Sequence, residues 1–159
     1  MQKENKVRKL AGSPIHMKLF MLRNLPMALL AGLKVTEIDP SKASVTVPYK
    51  NLNKNPFKSI YFAVLSMAAE LATGILAMAS IRDFSVPVSM LVLEMKAQFQ
   101  KKARTKITFR CTEGNKMNEA ISKSIETGEG QTAEVTSTGY DADGDIVAEF
   151  KFTWTFKPK

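Results

Sequence analysis

The chain has one histidine and one cysteine in 159 residues, and each scarcity removes a class of chemistry. His16 has no second His or Cys near it in the sequence, so neither a zinc cluster nor a Ser/His/Asp triad can be assembled. Cys111, the lone cysteine, rules out an internal disulfide and points to a reducing, cytoplasmic compartment. It falls on the apolar side of a strand pattern and reads as a small core residue. Acidic residues are in the minority, 15 against 23 Lys and Arg, for a formal net charge of +8. That balance attracts anionic partners: nucleic acid, acidic lipid or a phosphorylated small molecule. Internal repeats and low-complexity segments are absent. No small-residue cleavage site follows an apolar run after MQKENKVRKLAG, so no secretory leader is expected. With 45% hydrophobic and 24% charged residues, the composition is that of one soluble globular domain. Residues 1–12 are expected to form a disordered basic tail, and residues 13–159 the domain.

One stretch organises the rest. Ile60–Arg82 (IYFAVLSMAAELATGILAMASIR) has a helical composition and is apolar nearly all round, which predicts a buried helix. Its exceptions are Ser66, Glu70 and Thr73, with Ser59 a heptad before the first and Ser80 a heptad after the last. Spacings of three, four and seven stack on one helix face, so the pattern predicts a narrow polar line centred on a carboxylate. The run is long enough to cross a bilayer. A carboxylate at the bilayer centre costs about 3 kcal/mol, however, and the remaining chain alternates like a water-soluble sheet. Glu70 then has two readings: a working group, or half of a buried ion pair with an Arg or Lys from a neighbouring strand. Ser66 and Thr73 can equally bond back to helix carbonyls.

Around this helix the pattern is that of a sheet. Pro14–Leu30 predicts two short helices meeting near Asn24–Leu25, because Pro26 interrupts the run, and it should lie against the core. Leu33–Ile38 and Ala43–Tyr49 form a hairpin about Asp39–Lys42. Asn55-Pro56 is a plausible helix-start pair, with Ser59 an alternative cap. Leu91, Leu93, Met95, Ala97 and Phe99 alternate along a strand; the basic turn of Lys101, Lys102 and Arg104 joins it to Ile107–Cys111. Asn115–Glu126 is an amphipathic helix ended by Gly128 and Gly130. A last hairpin runs through Ala133 and Val135, turns at Asp141–Gly144 and returns over Ile146–Phe156. The sum is an α+β domain, an antiparallel sheet of five to six strands wrapped part-way around a long central helix. The rest of the helix is left to the N-terminal segment or to a second copy of the chain.

From about Pro14 onward the sequence resembles the hotdog superfamily, and within it an uncharacterised thioesterase-like family similar to the phenylacetyl-CoA type. The resemblance is carried by Asn55-Pro56-Phe57, by Ala68-Ala69-Glu70-Leu71-Ala72-Thr73-Gly74, and by Asp143-Gly144-Asp145-Ile146-Val147-Ala148. It implies a hydrolase of acyl-CoA or acyl-carrier-protein thioesters, acting as a homodimer or a dimer of dimers, with no cofactor beyond the coenzyme A of its substrate. Glu70 falls at the position of the general base or nucleophile, and Phe62 and Ala63 where backbone N–H groups bind the thioester oxygen. Asn55, Ser66 and Thr73 are the implied substrate contacts, and Lys101, Lys102 and Arg104 could meet the phosphates. The phenylacetyl-CoA type has His-Gly-Gly where this chain reads Tyr61-Phe62-Ala63. A fatty-acyl or acyl-CoA binder of the same fold, without turnover, is the alternative. Nucleic-acid binding ranks last, because Phe150, Phe152, Trp154 and Phe156 alternate inward instead of interleaving with Lys and Arg on an exposed face.

Overall fold

The computed structural model describes residues 5–159. Three short helices open the chain: α1 (Lys6–Ala11), α2 (Pro14–Asn24) and α3 (Pro26–Ala31). The hairpin β1 (Lys34–Ile38) and β2 (Ala43–Val47) follows, and then the long helix α4 (Phe62–Ile81). After it come β3 (Val88–Phe99), β4 (Ile107–Cys111), α5 (Gly114–Thr127), β5 (Gln131–Tyr140) and β6 (Ile146–Pro158). The six strands form one antiparallel sheet in the order β1-β2-β4-β5-β6-β3. Its concave face holds α4, whose residues from Ala68 onward are almost all buried. Alanines at positions 68, 69, 72, 77 and 79 let the helix approach the sheet closely, and Phe109, Phe150, Phe152 and Phe156 fill the space beneath it. This is the hotdog arrangement that the resemblance implies. α4 is also the one described helix long and apolar enough to cross a membrane, and 67% of its most apolar window is buried within the fold.

Pro26 splits the N-terminal helices at Leu25, as expected, and Gly144 turns the last hairpin at φ 89°. Three expectations need correction, and another, the second below, is met by one face only. Residues 6–11 are helix, within the stretch expected to be a disordered tail; residues 1–4, Lys3 among them, lie outside the described residues. Asn5 accepts from the amides of Val7 and Arg8, capping α1, and donates to the Ala79 carbonyl. Arg8 meets Asp83 just beyond α4 (Nη1–Oδ1 2.9 Å), so α1 is latched to the end of the central helix.

Second, α2 and α3 lie against the core as expected, through Met17, Met21, Ala28 and Ala31, but by one side only. Third, the alternation of β3 breaks at a bulge between Val92 and Glu94. One extra residue flips the faces. Val92 therefore pairs with Trp154, Met95 with Phe152 and Ala97 with Phe150, while Leu91 lies on the opposite face from Met95 and Phe99. Fourth, the polar line on α4 is not one surface. Thr73 and Ser80 are buried, whereas Ser66 and Glu70 reach the open half of the helix.

Candidate active site

The first turn of α4 is bare, as are those of α2, α3 and α5. Tyr61 occupies the cap position without a side-chain cap, and its carbonyl takes the Val64 and Leu65 amides. The Phe62 and Ala63 amides have no partner among the described residues. Free N–H groups at the positive end of a twenty-residue helix form a place for negative charge. Asn55, one of the expected caps, does something else: its Oδ1 accepts from the amides of Phe57 and Ser59 and from the Ser59 hydroxyl, folding the loop before the helix. The Ile60 amide then donates to the Ala103 carbonyl at 2.8 Å, which brings the basic turn alongside the helix start.

Two turns further on, Glu70 lies half-buried against an open cavity of about 500 Å³ lined by Phe62, Ala63, Ser66, Met67, Val92, Met95 and Phe152. The lining is almost wholly apolar apart from Ser66 and the carboxylate. Glu70 makes no side-chain hydrogen bond and no ion pair among the described residues, so the ion-pair reading of it is not what the fold builds. Burial alone raises its pKa above the ordinary value, since no neighbouring charge offsets the loss of solvent. A methyl placed on Gly74 would stand 2.9 Å from Glu70 Oε1 and 3.5 Å from Trp154 Cζ2, so this glycine makes the room in which the carboxylate folds back along the helix. In the sequence Gly74 is one letter of the Ala68–Gly74 motif, and this role is not visible there. A glycine inside a helix costs about 1 kcal/mol against alanine, and that cost is the signal that it serves a packing purpose.

A second cavity, of about 330 Å³, adjoins the first across the Phe62 ring and is lined by Asn55, Ser59, Ile60, Leu65, Phe99 and Gln100–Ala103. Phe62 belongs to both linings and packs edge-on against Tyr61 (5.0 Å) and Phe99 (6.3 Å). The remaining sequence-predicted residues divide. Ser66 lines the larger cavity but donates to the Phe62 carbonyl at 3.0 Å. Thr73 is fully buried away from both cavities, donates to the Glu70 carbonyl and accepts from Trp154 Nε1, so its hydroxyl is spent within the core. Lys101 is held by Asp141 (2.6 Å) and Asp145 (2.7 Å), which raise its pKa; Lys102 and Arg104 are exposed and carry no carboxylate partner among the described residues. Lys102 lies 6.0 Å from the centre of the Phe57 ring. Among the described residues no three His, Cys, Asp or Glu side chains converge as metal ligands. Cys111 is buried, its thiol pushed up to about 11.

Residues 15–156 match the model of a family described as a domain of unknown function, DUF4442. The chain belongs to that family. No curated protein matches this DUF4442 chain. Solved structures do. A protein of unknown function from Pseudomonas aeruginosa, named a probable thioesterase, superposes with a TM-score of 0.77 at 19% identity, over 92% of this chain and 97% of its own. A protein of unknown function from Chlorobaculum tepidum gives 0.77 at 14% identity, over 92% and 98%. A thioesterase from Haemophilus influenzae gives 0.67 at 14% identity, over 92% and 91%. At these identities the likeness establishes the hotdog fold of the DUF4442 chain and leaves its chemistry to the site.

Proposed function

We propose that the protein hydrolyses acyl thioesters of coenzyme A or of a carrier protein, as a homodimer, with Glu70 as general base or nucleophile. One observation carries this: a carboxylate with no partner among the described residues, raised in pKa by burial, faces an apolar cavity on a helix whose first amides are likewise without a partner among them. A raised pKa improves a base that works near neutral pH. The free amides of Phe62 and Ala63 suit the oxyanion of a tetrahedral intermediate. Two of the three related structures named above are called thioesterases, which agrees with this chemistry.

The dimer follows from reach. Glu70 stands eight and seven residues along from Phe62 and Ala63, roughly 11 Å at helical rise, too far for one thioester carbon to meet both. Base and oxyanion donors would come from opposite protomers. Strand β3 is the edge through which a second copy would join: it is twelve residues long, unpaired on its outer side, and exposes Leu91, Leu93, Met95 and Phe99. Light scattering should give at least a dimer, and a lysine at Leu93 should weaken it; a monomer that hydrolyses acyl-CoA would overturn this part.

Phosphates of coenzyme A would meet Lys102 and Arg104, since Lys101 is already engaged. Lys102→Ala with Arg104→Ala should raise KM about tenfold at unchanged kcat, as loss of point-charge binding does, whereas Lys101→Ala should leave KM within about twofold. Gly74→Ala should push the carboxylate out of its place and lower kcat by about tenfold or more while Tm holds or rises, because the alanine favours the helix. The alternative of a binder without turnover rests on Phe62, whose ring stands where glycine would leave the oxyanion site open. A panel of acyl-CoAs in a thiol-release assay separates the two: ligand binding without release under any condition favours the binder.

A further inference from the structure

We propose that α2 and α3 dock the protein on the surface of an anionic lipid bilayer. An ordinary surface helix turns polar residues away from the core. Here α2 is apolar on both sides. Met17 and Met21 are buried, and Ile15, Leu19 and Leu22, at helical spacings of four and three, point the opposite way with 72%, 60% and 62% of their surfaces exposed. α3 continues the pattern, exposing Met27 and Leu30 at 61% and 55% while burying Ala28 and Ala31. None of these residues lines either cavity, so the ridge is no part of the site described above.

Charge selects the occupant. Between Glu4 and Glu37 the sequence has no acidic residue, while Lys6, Lys18, Arg23 and Lys34 supply positive charge; Arg8 is already paired with Asp83. At about 100° per residue, Lys18 and Arg23 fall on either shoulder of the Ile15–Leu19–Leu22 ridge, and both are exposed without a carboxylate partner among the described residues. A two-fold contact with a second copy would set those cations against themselves, which is unfavourable. An apolar ridge between basic shoulders is what enters the headgroup region of an acidic membrane: the aliphatic tips reach the acyl boundary while the cations stay among the phosphates. The proposal does not depend on hydrolysis at Glu70.

Flotation of the full-length protein with vesicles tests it. Binding to phosphatidylcholine vesicles carrying about one-third phosphatidylglycerol should exceed binding to phosphatidylcholine alone by roughly tenfold, and should weaken in about 0.5 M salt. Leu19→Glu with Leu22→Glu should lower that binding by about tenfold or more, and Lys18→Glu with Arg23→Glu should remove the preference for the acidic vesicles. All four positions are exposed, so circular dichroism and Tm should be unchanged. Equal binding to both vesicle types, or a Leu19/Leu22 variant that floats like the parent, would overturn the proposal. So would a smaller oligomer in that variant with no vesicle binding by either protein, which assigns the ridge to a second copy. Binding to an acidic carrier protein but not to vesicles would assign it to a protein partner.

Discussion

Glu70→Gln is expected to lower kcat/KM for acyl-CoA hydrolysis by about a thousandfold, the usual scale for losing a general base, and to leave the affinity for a non-hydrolysable acyl-CoA analogue unchanged. The amide keeps the size of the carboxyl and its place against Gly74, so the cavity survives while proton abstraction does not. The wild-type rate should rise with pH through a midpoint above that of an ordinary carboxylate, because burial favours the protonated form. The same shift has a consequence for stability. The folded protein holds this proton more tightly than the unfolded chain, so Glu70 subtracts stability as pH climbs from its unfolded pKa through its folded one, and the whole cost is present only above the folded one. Glu70→Gln should therefore melt higher than the parent at pH above the folded pKa, and no higher in acid below both pKa values. An inactive variant that is also less stable at neutral pH would point to a structural carboxylate. An active one would end the assignment of Glu70 as base or nucleophile.

Which of these features could be read from the chain depends on whether their cause is local. The central helix, the split at Pro26 and the last hairpin follow from periodicity and turn chemistry, which neighbouring residues set among themselves. The prominence of Glu70 was legible for the same reason: a lone carboxylate in a run of Ala, Leu and Met is visible without coordinates. The β3 bulge was not, because nothing in Val92-Leu93-Glu94 breaks the alternation; it is the pairing with β6 that places Val92 opposite Trp154. Thr73 and Lys101 are engaged by contacts from far along the chain. Trp154 reaches back to Thr73 across 81 positions, and Asp141 and Asp145 hold Lys101 from 40 and 44 positions away. Sequence spacing shows a polar group without showing what already satisfies it. The outward face of α2 was missed because its apolar residues lie on two sides, and composition cannot tell which of them meets the core.

Gly114→Ala is expected to cost about 3 kcal/mol, a fall in Tm of roughly 6–12 °C for a chain of this length. Gly114 begins α5 and donates its amide to the Ser41 carbonyl at 2.9 Å. A methyl there would stand 2.3 Å from the Pro40 carbonyl oxygen, 2.9 Å from Ser41 Cα and 3.0 Å from Ser41 C. All three are backbone atoms of the β1–β2 turn, which cannot swing aside as a side chain can. Asp39 pins the turn by accepting from the Ser41 amide and hydroxyl, and its own amide donates to the Lys42 carbonyl. Relief must therefore come from sliding α5 away from β5 or from distorting the hairpin, and either loosens packing against the sheet. Gly130→Ala supplies the control, since the nearest atom to its methyl would be Thr155 Oγ1 at 3.8 Å. In parallel urea melts Gly130→Ala should stay within about 0.5 kcal/mol of the parent, with Gly114→Ala well below both. Equal stability of the two variants would mean that α5 and the hairpin are not held as closely as the fold requires.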